Sequence, residues 1–293
     1  MTDFSATEGE NFGALFIVMN FLPKRANFLL IFVGYYFIMV SYWARRRLAL
    51  GELIGILSGK GGTGKTSVCA GLATALAEQK KKVLCIDCDI GLRNLDISLG
   101  LTEEGALSFQ DVCHGGYDLE QAAVHPIYPT LRFLTAPMNC GPEEIDPTAF
   151  AAMLRAARDQ FDYIFLDAPA GVDDGFRLAA RSADRIILVT GPDPAAVRDA
   201  ARSGELLELM GKDNIRLIIN RINKKIVHTL ELTVDDIMDA AGLPLLGVVP
   251  EDKEVVFSAF YGEPLLKSNR RGAAAAFRRI AKRIQGMKVP VTL

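Results

Sequence analysis

Residues 54–101 read IGILSGKGGTGKTSVCAGLATALAEQKKKVLCIDCDIGLRNLDISLGL, and this stretch decides the fold. An apolar run over residues 53–57 leads into a glycine-rich turn, after which Val68, Leu72, Ala75 and Leu76 recur at helical spacing. The order is strand, loop, helix. The turn itself, Gly59-Lys60-Gly61-Gly62-Thr63-Gly64-Lys65-Thr66, satisfies the pattern G-x-x-x-x-G-K-[ST] in the context that pattern requires. Residues without side chains let successive backbone N–H groups wrap around phosphate oxygens, and the new helix adds its positive end. On this chemistry Lys65 reaches the β- and γ-phosphates and the Thr66 hydroxyl ligates Mg²⁺. Ser67 completes the candidate phosphate-binding run. A plain tight turn is the bland alternative, but it would not need strand, spacing, lysine, threonine and helix to agree.

The strand expected over residues 82–86 ends in Asp87-Cys88-Asp89, which puts two carboxylates at the carboxyl edge of a parallel sheet, where such sheets bind ligands. A carboxylate there can hold a magnesium-bound water or orient the attacking one. Asp89 is the expected participant; the structural alternative is that one of the two merely buttresses the loop. A second buried strand, residues 163–166, ends at Asp167-Ala168-Pro169-Ala170-Gly171. An aspartate at the tip of an apolar strand, followed shortly by glycine, is suited to order the Mg²⁺ shell while the glycine amide senses the γ-phosphate. The candidate metal set is therefore Thr66, Asp89 and Asp167.

The chain has 293 residues, half of them apolar, which is ample for a buried core. A formal net charge of −2 argues against a strongly basic nucleic-acid surface. Five cysteines, Cys69, Cys85, Cys88, Cys113 and Cys140, read as reduced packing residues. Cys85-x-x-Cys88 has redox spacing, but Cys85 belongs to a strand rather than to a helix N-terminus.

Residues 1–50 differ from the rest. Residues 12–22 are mostly apolar, and residues 27–43 form an uncharged run at the short end of what crosses a bilayer, followed by Arg45-Arg46-Arg47. Three readings stand side by side: a membrane anchor, a buried or amphipathic helix, and translated sequence upstream of the true start. The expected division is an apolar extension over residues 1–50 and a nucleotide domain over residues 51–293.

Farther along, residues 107–113 and 119–123 read as short helices, 131–135 as a strand and 147–160 as a helix with Phe150, Met153, Leu154 and Ala157 on one face. Residues 185–190 and 215–220 continue the strands, with a helix over 194–210 between them. Strand and helix alternate, so the expected class is α/β: a doubly wound, mostly parallel sheet with helices on both faces.

Lys60 gives the loop the deviant K-G-G-x-G-K-T form, and Asp89-Ile90-Gly91-Leu92-Arg93-Asn94-Leu95-Asp96 follows it; together with D-x-P-A-G these resemble the MinD/ParA group of dimerising ATPases, its MinD branch more than its ParA branch. The resemblance covers residues 53–286. It implies Mg²⁺-dependent ATP hydrolysis by a homodimer that sandwiches two nucleotides, Lys60 reaching the one bound by the opposite subunit. The catalytic set it implies is Lys60, Lys65, Asp89 and Asp167. It further implies that Asn220 and Arg221 lie beside the adenine, that the loop of Pro250, Glu251 and Asp252 closes over the base, and that a membrane surface, a MinC-like division inhibitor and a MinE-like activator are partners. One departure is Gly191-Pro192-Asp193-Pro194, where only the proline and the acid match, which puts a dimer contact by that loop in doubt.

The helix expected over residues 273–287 carries Phe277, Ile280, Ala281 and Ile284 on one face and Arg278, Arg279, Lys282 and Arg283 on the other. It has the pattern of a membrane-surface helix, yet it falls on the family's final core-covering helix, and packing is the favoured reading. Rival functions are a flagellar-number or chromosome-partition ATPase, a metal-cluster carrier, a membrane-tethered tyrosine kinase and a non-hydrolysing nucleotide-gated scaffold. The carrier would need exposed paired cysteines, and the kinase a tyrosine-rich tail, whereas the last tyrosine here is Tyr261.

Overall fold

The computed structural model describes residues 50–90, 93–101, 106–138, 141, 144–223, 225, 229, 231, 233–267 and 269–292. The apolar runs before residue 50, and Gly91, Leu92 and Cys140, lie outside the described residues.

Near-continuous apolar runs form the strands: β1 (Glu52–Leu57), β2 (Val83–Asp87), β3 (Ala123–Val124), β4 (Leu131–Leu134), β5 (Tyr163–Asp167), β6 (Arg185–Thr190), β7 (Ile215–Ile222) and β8 (Leu245–Pro250). They join in one eight-stranded sheet in the order β3-β4-β2-β5-β1-β6-β7-β8. Every pairing is parallel except β3 with β4. Apolar residues on both strand faces are what a sheet covered on both sides requires. In β1, Leu53 and Leu57 enter one core and Ile54 and Ile56 the other.

The first helix, α1 (Lys65–Glu78), is rich in alanine and leucine, good helix formers, and is buried on most of its circumference. It stops where Lys80 turns left-handed, at φ 65°. It shares one face of the sheet with α2 (Leu95–Leu99) and with α9 (Gly272–Ile284) at the end of the chain. The other face carries α3 (Phe109–Cys113), α4 (Pro147–Gln160), α5 (Asp174–Ser182), α6 (Pro194–Leu209) and α7 (Val234–Ala241). A further helix, α8 (Lys253–Phe260), lies beside α2.

The basic helix α9 packs as a core helix. Phe277 and Ile280 are buried against the positions of Gly71 on α1 and Gly247 on β8, where a β-carbon would approach each of them to 2.4 Å. Burying an aromatic side chain of this kind contributes about 2–3 kcal/mol. Its charged face is engaged too: Arg278 donates to both carboxylate oxygens of Glu78 at 2.6 and 2.9 Å, and Arg283 and Arg279 hold the carbonyls of Val289, Pro290 and Thr292.

Two local expectations shift. The helix expected over residues 107–113 begins only after Ser108, whose Oγ accepts from the Asp111 amide while the Asp111 carboxylate accepts the Ser108 N–H. That reciprocal cap fixes the start, and Leu107 stays outside with its carbonyl accepting from Thr135. The helix expected over residues 119–123 is one 3₁₀ turn, Leu119–Gln121, because Ala123 and Val124 pair with β4 at the sheet edge. Sheet pairing overrides the weak local pattern.

α8 inverts the usual arrangement. Ser258 and Ala259 face the interior beside Ser67 and Ser98, whereas Val256, Phe257, Phe260 and Tyr261 are exposed, Phe260 to 81%. Contiguous apolar surface of this kind is a common mark of a protein-binding face. Among the described residues no helix is long and apolar enough to cross a membrane.

Candidate nucleotide site

The sheet order lays the candidate residues in a row along one edge. Strands β2, β5, β1, β6, β7 and β8 are consecutive neighbours. Their carboxyl ends lead respectively to Asp87 and Asp89, to Asp167, to the glycine-rich loop, to Asp193, to Asn220 and Arg221, and to Pro250, Glu251 and Asp252. Parallel strands point all these ends the same way, so residues spread over almost 200 sequence positions reach one edge.

Gly62 and Gly64 take φ values of 78° and 87°, which only glycine adopts without strain, and they flank Thr63. Gly59 has no room for a side chain, since a β-carbon there would lie 2.4 Å from Ser203 Oγ. Lys65, 8% exposed, opens α1. Lys60 behaves differently: it is partly exposed, and its Nζ lies 3.4 Å from Asp193 Oδ1. That oxygen also accepts from the Ala196 amide and caps α6; this amide bond, chiefly, and Lys60 hold the Asp193 carboxyl below its ordinary range despite some burial. The Lys60 partner was legible only as an Asp-Pro helix start.

Asp87 and Asp89 separate into two roles. Asp87 is fully buried and accepts the amides of Asp89, Asn94 and Leu95 at 2.9 to 3.2 Å, so it buttresses the loop entering α2. Burial outweighs those bonds and raises its pKa. Asp89 is half-buried; burial raises its pKa and the Lys65 charge lowers it. At the other end of α2, buried His125 bonds the Leu99 carbonyl through Nε2 while its Nδ1 accepts from the amides of Ile127 and Tyr128. Both ends of the short helix are thereby held.

Asp167 lies in register with Ile56 of β1 and Asp87 of β2. It is 1% exposed, and its Oδ1 has no hydrogen-bond partner among the described residues. Burial is the main cause that pushes its pKa from 3.8 to about 7; Lys65 and a hydrogen bond from Thr66 oppose the rise, and Asp87 adds to it. An orphaned buried carboxylate oxygen beside a threonine hydroxyl fits a hard divalent cation. Among the described residues no cluster of three or more His, Cys, Asp or Glu could hold a metal unaided.

Of the residues expected at the base, Asn220 and Arg221 contact the glycine-rich loop, their amide and guanidinium donating to Thr63 O and Gly62 O. Glu251 accepts from Asn223, and the Asp252 carboxylate accepts from the amides of Glu254 and Ala273, which joins the starts of α8 and α9. Pro250 ends β8. Cys85 and Cys88 are buried and unpaired by any disulfide.

The family model of the CobQ/CobB/MinD/ParA nucleotide binding domain matches residues 54–265. The chain belongs to this family. Within it, the septum site-determining protein MinD of Synechocystis is 38% identical over 244 residues, 82% of this chain and 92% of that one. MinD of Bacillus subtilis is 38% identical over 83% of this chain and 92% of its own. Among solved structures, the MinC:MinD cell division protein complex of Aquifex aeolicus superimposes with a TM-score of 0.77 at 36% identity, covering 83% of this chain and 99% of that one. A MinD of Pyrococcus horikoshii complexed with Mg-ADP has a TM-score of 0.69 at 30% identity, over 80% of this chain and 96% of that one. The eight-stranded sheet and its helices are those of a MinD/ParA-type nucleotide-binding ATPase.

Proposed function

We propose that this MinD-like ATPase pairs with a second copy of itself when ATP is bound, associates with the inner face of the membrane, and helps place the division septum with a MinC-like inhibitor and a MinE-like activator. The observation that carries the proposal is the contrast between the two loop lysines. Lys65 is buried where its charge acts on Asp89 and Asp167, which suits a nucleotide bound by its own subunit. Lys60 stands partly exposed in an ion pair of a kind worth at most about 1 kcal/mol, which leaves it free to move to a phosphate across a subunit boundary.

Thr66, Asp89 and Asp167 are the residues proposed to hold Mg²⁺, which when bound would neutralise charge on the phosphates. Lys65 holds the β- and γ-phosphates, Asp89 orients the attacking water, and the loop amides of residues 59–67 bind phosphate oxygens. Pro250, Glu251 and Asp252 close the nucleotide end. The division at residue 50 into an apolar extension and the ATPase domain belongs to the same proposal.

Lys60→Ala is expected to keep nucleotide affinity within about threefold while cutting the dimer formed with a slowly hydrolysed ATP analogue at least fivefold, read by light scattering. An unchanged dimer fraction would remove Lys60 from the interface. The uncharged run over residues 27–43 is the proposed membrane contact, since α9, the other candidate, has its apolar face buried and its arginines engaged. A chain lacking residues 1–48 is expected to hydrolyse ATP but not to sediment with anionic vesicles, with or without ATP. ATP-dependent sedimentation of that shortened chain would contradict the assignment.

A further inference from the structure

Two consecutive residues at the end of β7 grip two consecutive carbonyls of the glycine-rich loop. Asn220 Nδ2 donates to Thr63 O at 2.8 Å, and Arg221 Nη1 donates to Gly62 O at 2.9 Å. A trans peptide is planar, with its C=O and N–H pointing in opposite directions. The Gly62 carbonyl shares a plane with the Thr63 N–H, and the Thr63 carbonyl shares one with the Gly64 N–H. Holding both carbonyls on the β7 side therefore aims both N–H groups the other way. A loop whose amides converge on an anion must turn its carbonyls outward, and a buried carbonyl so turned needs a donor.

The packing is specific to this contact. Asn220 is only 5% exposed, and a β-carbon on Gly64 would fall 2.3 Å from its Nδ2, so the side chain occupies the space that glycine leaves open. Arg221 takes a left-handed backbone, φ 58°, which is unfavourable for a residue with a side chain. The pair spans 157 and 159 sequence positions to reach the loop, so nothing local requires it.

Resting on the reading of residues 59–66 as a phosphate loop, we infer that Asn220 and Arg221 are positioning residues that set its peptide planes, and that they act on any bound polyphosphate regardless of the base. This differs from contact with the purine edge, the role that family resemblance implies for them. The two roles separate by ligand. The full chain, with Asn220→Ala, Arg221→Ala and Arg221→Lys variants, is titrated with the Mg²⁺ complexes of ATP, of ITP and of tripolyphosphate by calorimetry, and each variant's thermal unfolding is recorded.

Asn220→Ala is expected to lose about tenfold in affinity for all three ligands alike, the cost of orphaning the buried Thr63 carbonyl, and Arg221→Ala about threefold, because water reaches the exposed Gly62 carbonyl. Arg221→Lys, which keeps a donor, is expected to recover most of the loss. A loss confined to ATP, or to ATP and ITP, with tripolyphosphate unchanged would overturn the inference in favour of base contact, and no loss at all would overturn it outright. If Asn220→Ala no longer unfolds cooperatively, the exposed Arg221 pair decides alone. Failure of the wild-type chain to bind any of the three would instead refute the phosphate-loop reading, a result distinct from either outcome above.

Discussion

Lys65→Ala is expected to lower affinity for Mg-ATP at least a hundredfold while leaving the domain folded. The loss follows because Lys65 is a buried cation at the start of α1, directly after the loop proposed to bind the phosphates. Removing one member of a buried charged group normally destabilises by several kcal/mol, since the partner charge is left uncompensated. Here the partner can escape that cost: Asp167 already titrates at about 7, and Lys65 is the chief influence holding it down. Without Lys65 the carboxyl takes up a proton and becomes neutral. Binding therefore falls much more than stability. Calorimetric titration of the nucleotide together with urea unfolding at about pH 7 measures both, and an affinity within about threefold of the parent would remove Lys65 from the phosphates.

The second large effect concerns Asp167→Asn, which is expected to abolish hydrolysis yet stabilise the protein free of metal and nucleotide above neutral pH. The folded-state pKa of about 7 lies above the ordinary carboxyl value of 3.8. Between those two values the folded chain holds a proton that the unfolded chain has released, so stability declines as pH rises through this window. The change of about three pKa units corresponds to at most about 4 kcal/mol, reached above about pH 8 and vanishing near pH 4. Asparagine cannot ionise and escapes the decline. Asp87, also raised by burial, contributes a slope of the same sign but does so in both proteins. Unfolding in urea with chelator present, at about pH 5 and pH 8, gives the two differences. Parallel pH profiles for parent and variant would show that Asp167 is ionised throughout and that its burial carries no such penalty.

What could be read from the sequence was what neighbouring residues settle among themselves. The spacing of Gly59, Gly64, Lys65 and Thr66 lies within one turn, between an apolar strand and a segment with apolar residues at helical spacing, and each of these features is local. The same holds for Asp167 at the tip of an apolar strand. Alternating strands and helices then imply a parallel sheet, because parallel neighbours need long crossovers.

The tertiary structure decided everything that depends on which strands are neighbours and on how tightly helices cover them. Asp87 and Asp89 stand two residues apart and look equivalent in sequence, yet one accepts three amides and the other is half-buried within the influence of the Lys65 charge. Lys60 meets Asp193, and Asn220 meets Thr63, across separations of 133 and 157 residues that no local pattern encodes. The apolar face of α9 could have served lipid or core; the absence of side chains at Gly71 and Gly247 lets Phe277 and Ile280 into the core. In α8 Val255, Ser258 and Ala259 turn toward α1 and α2, and the aromatic residues Phe257, Phe260 and Tyr261 face outward. Local sequence determines the backbone elements and the phosphate-binding turn because those energies act over a few residues, whereas the partner of each polar group is set by packing, which sums over the whole sheet.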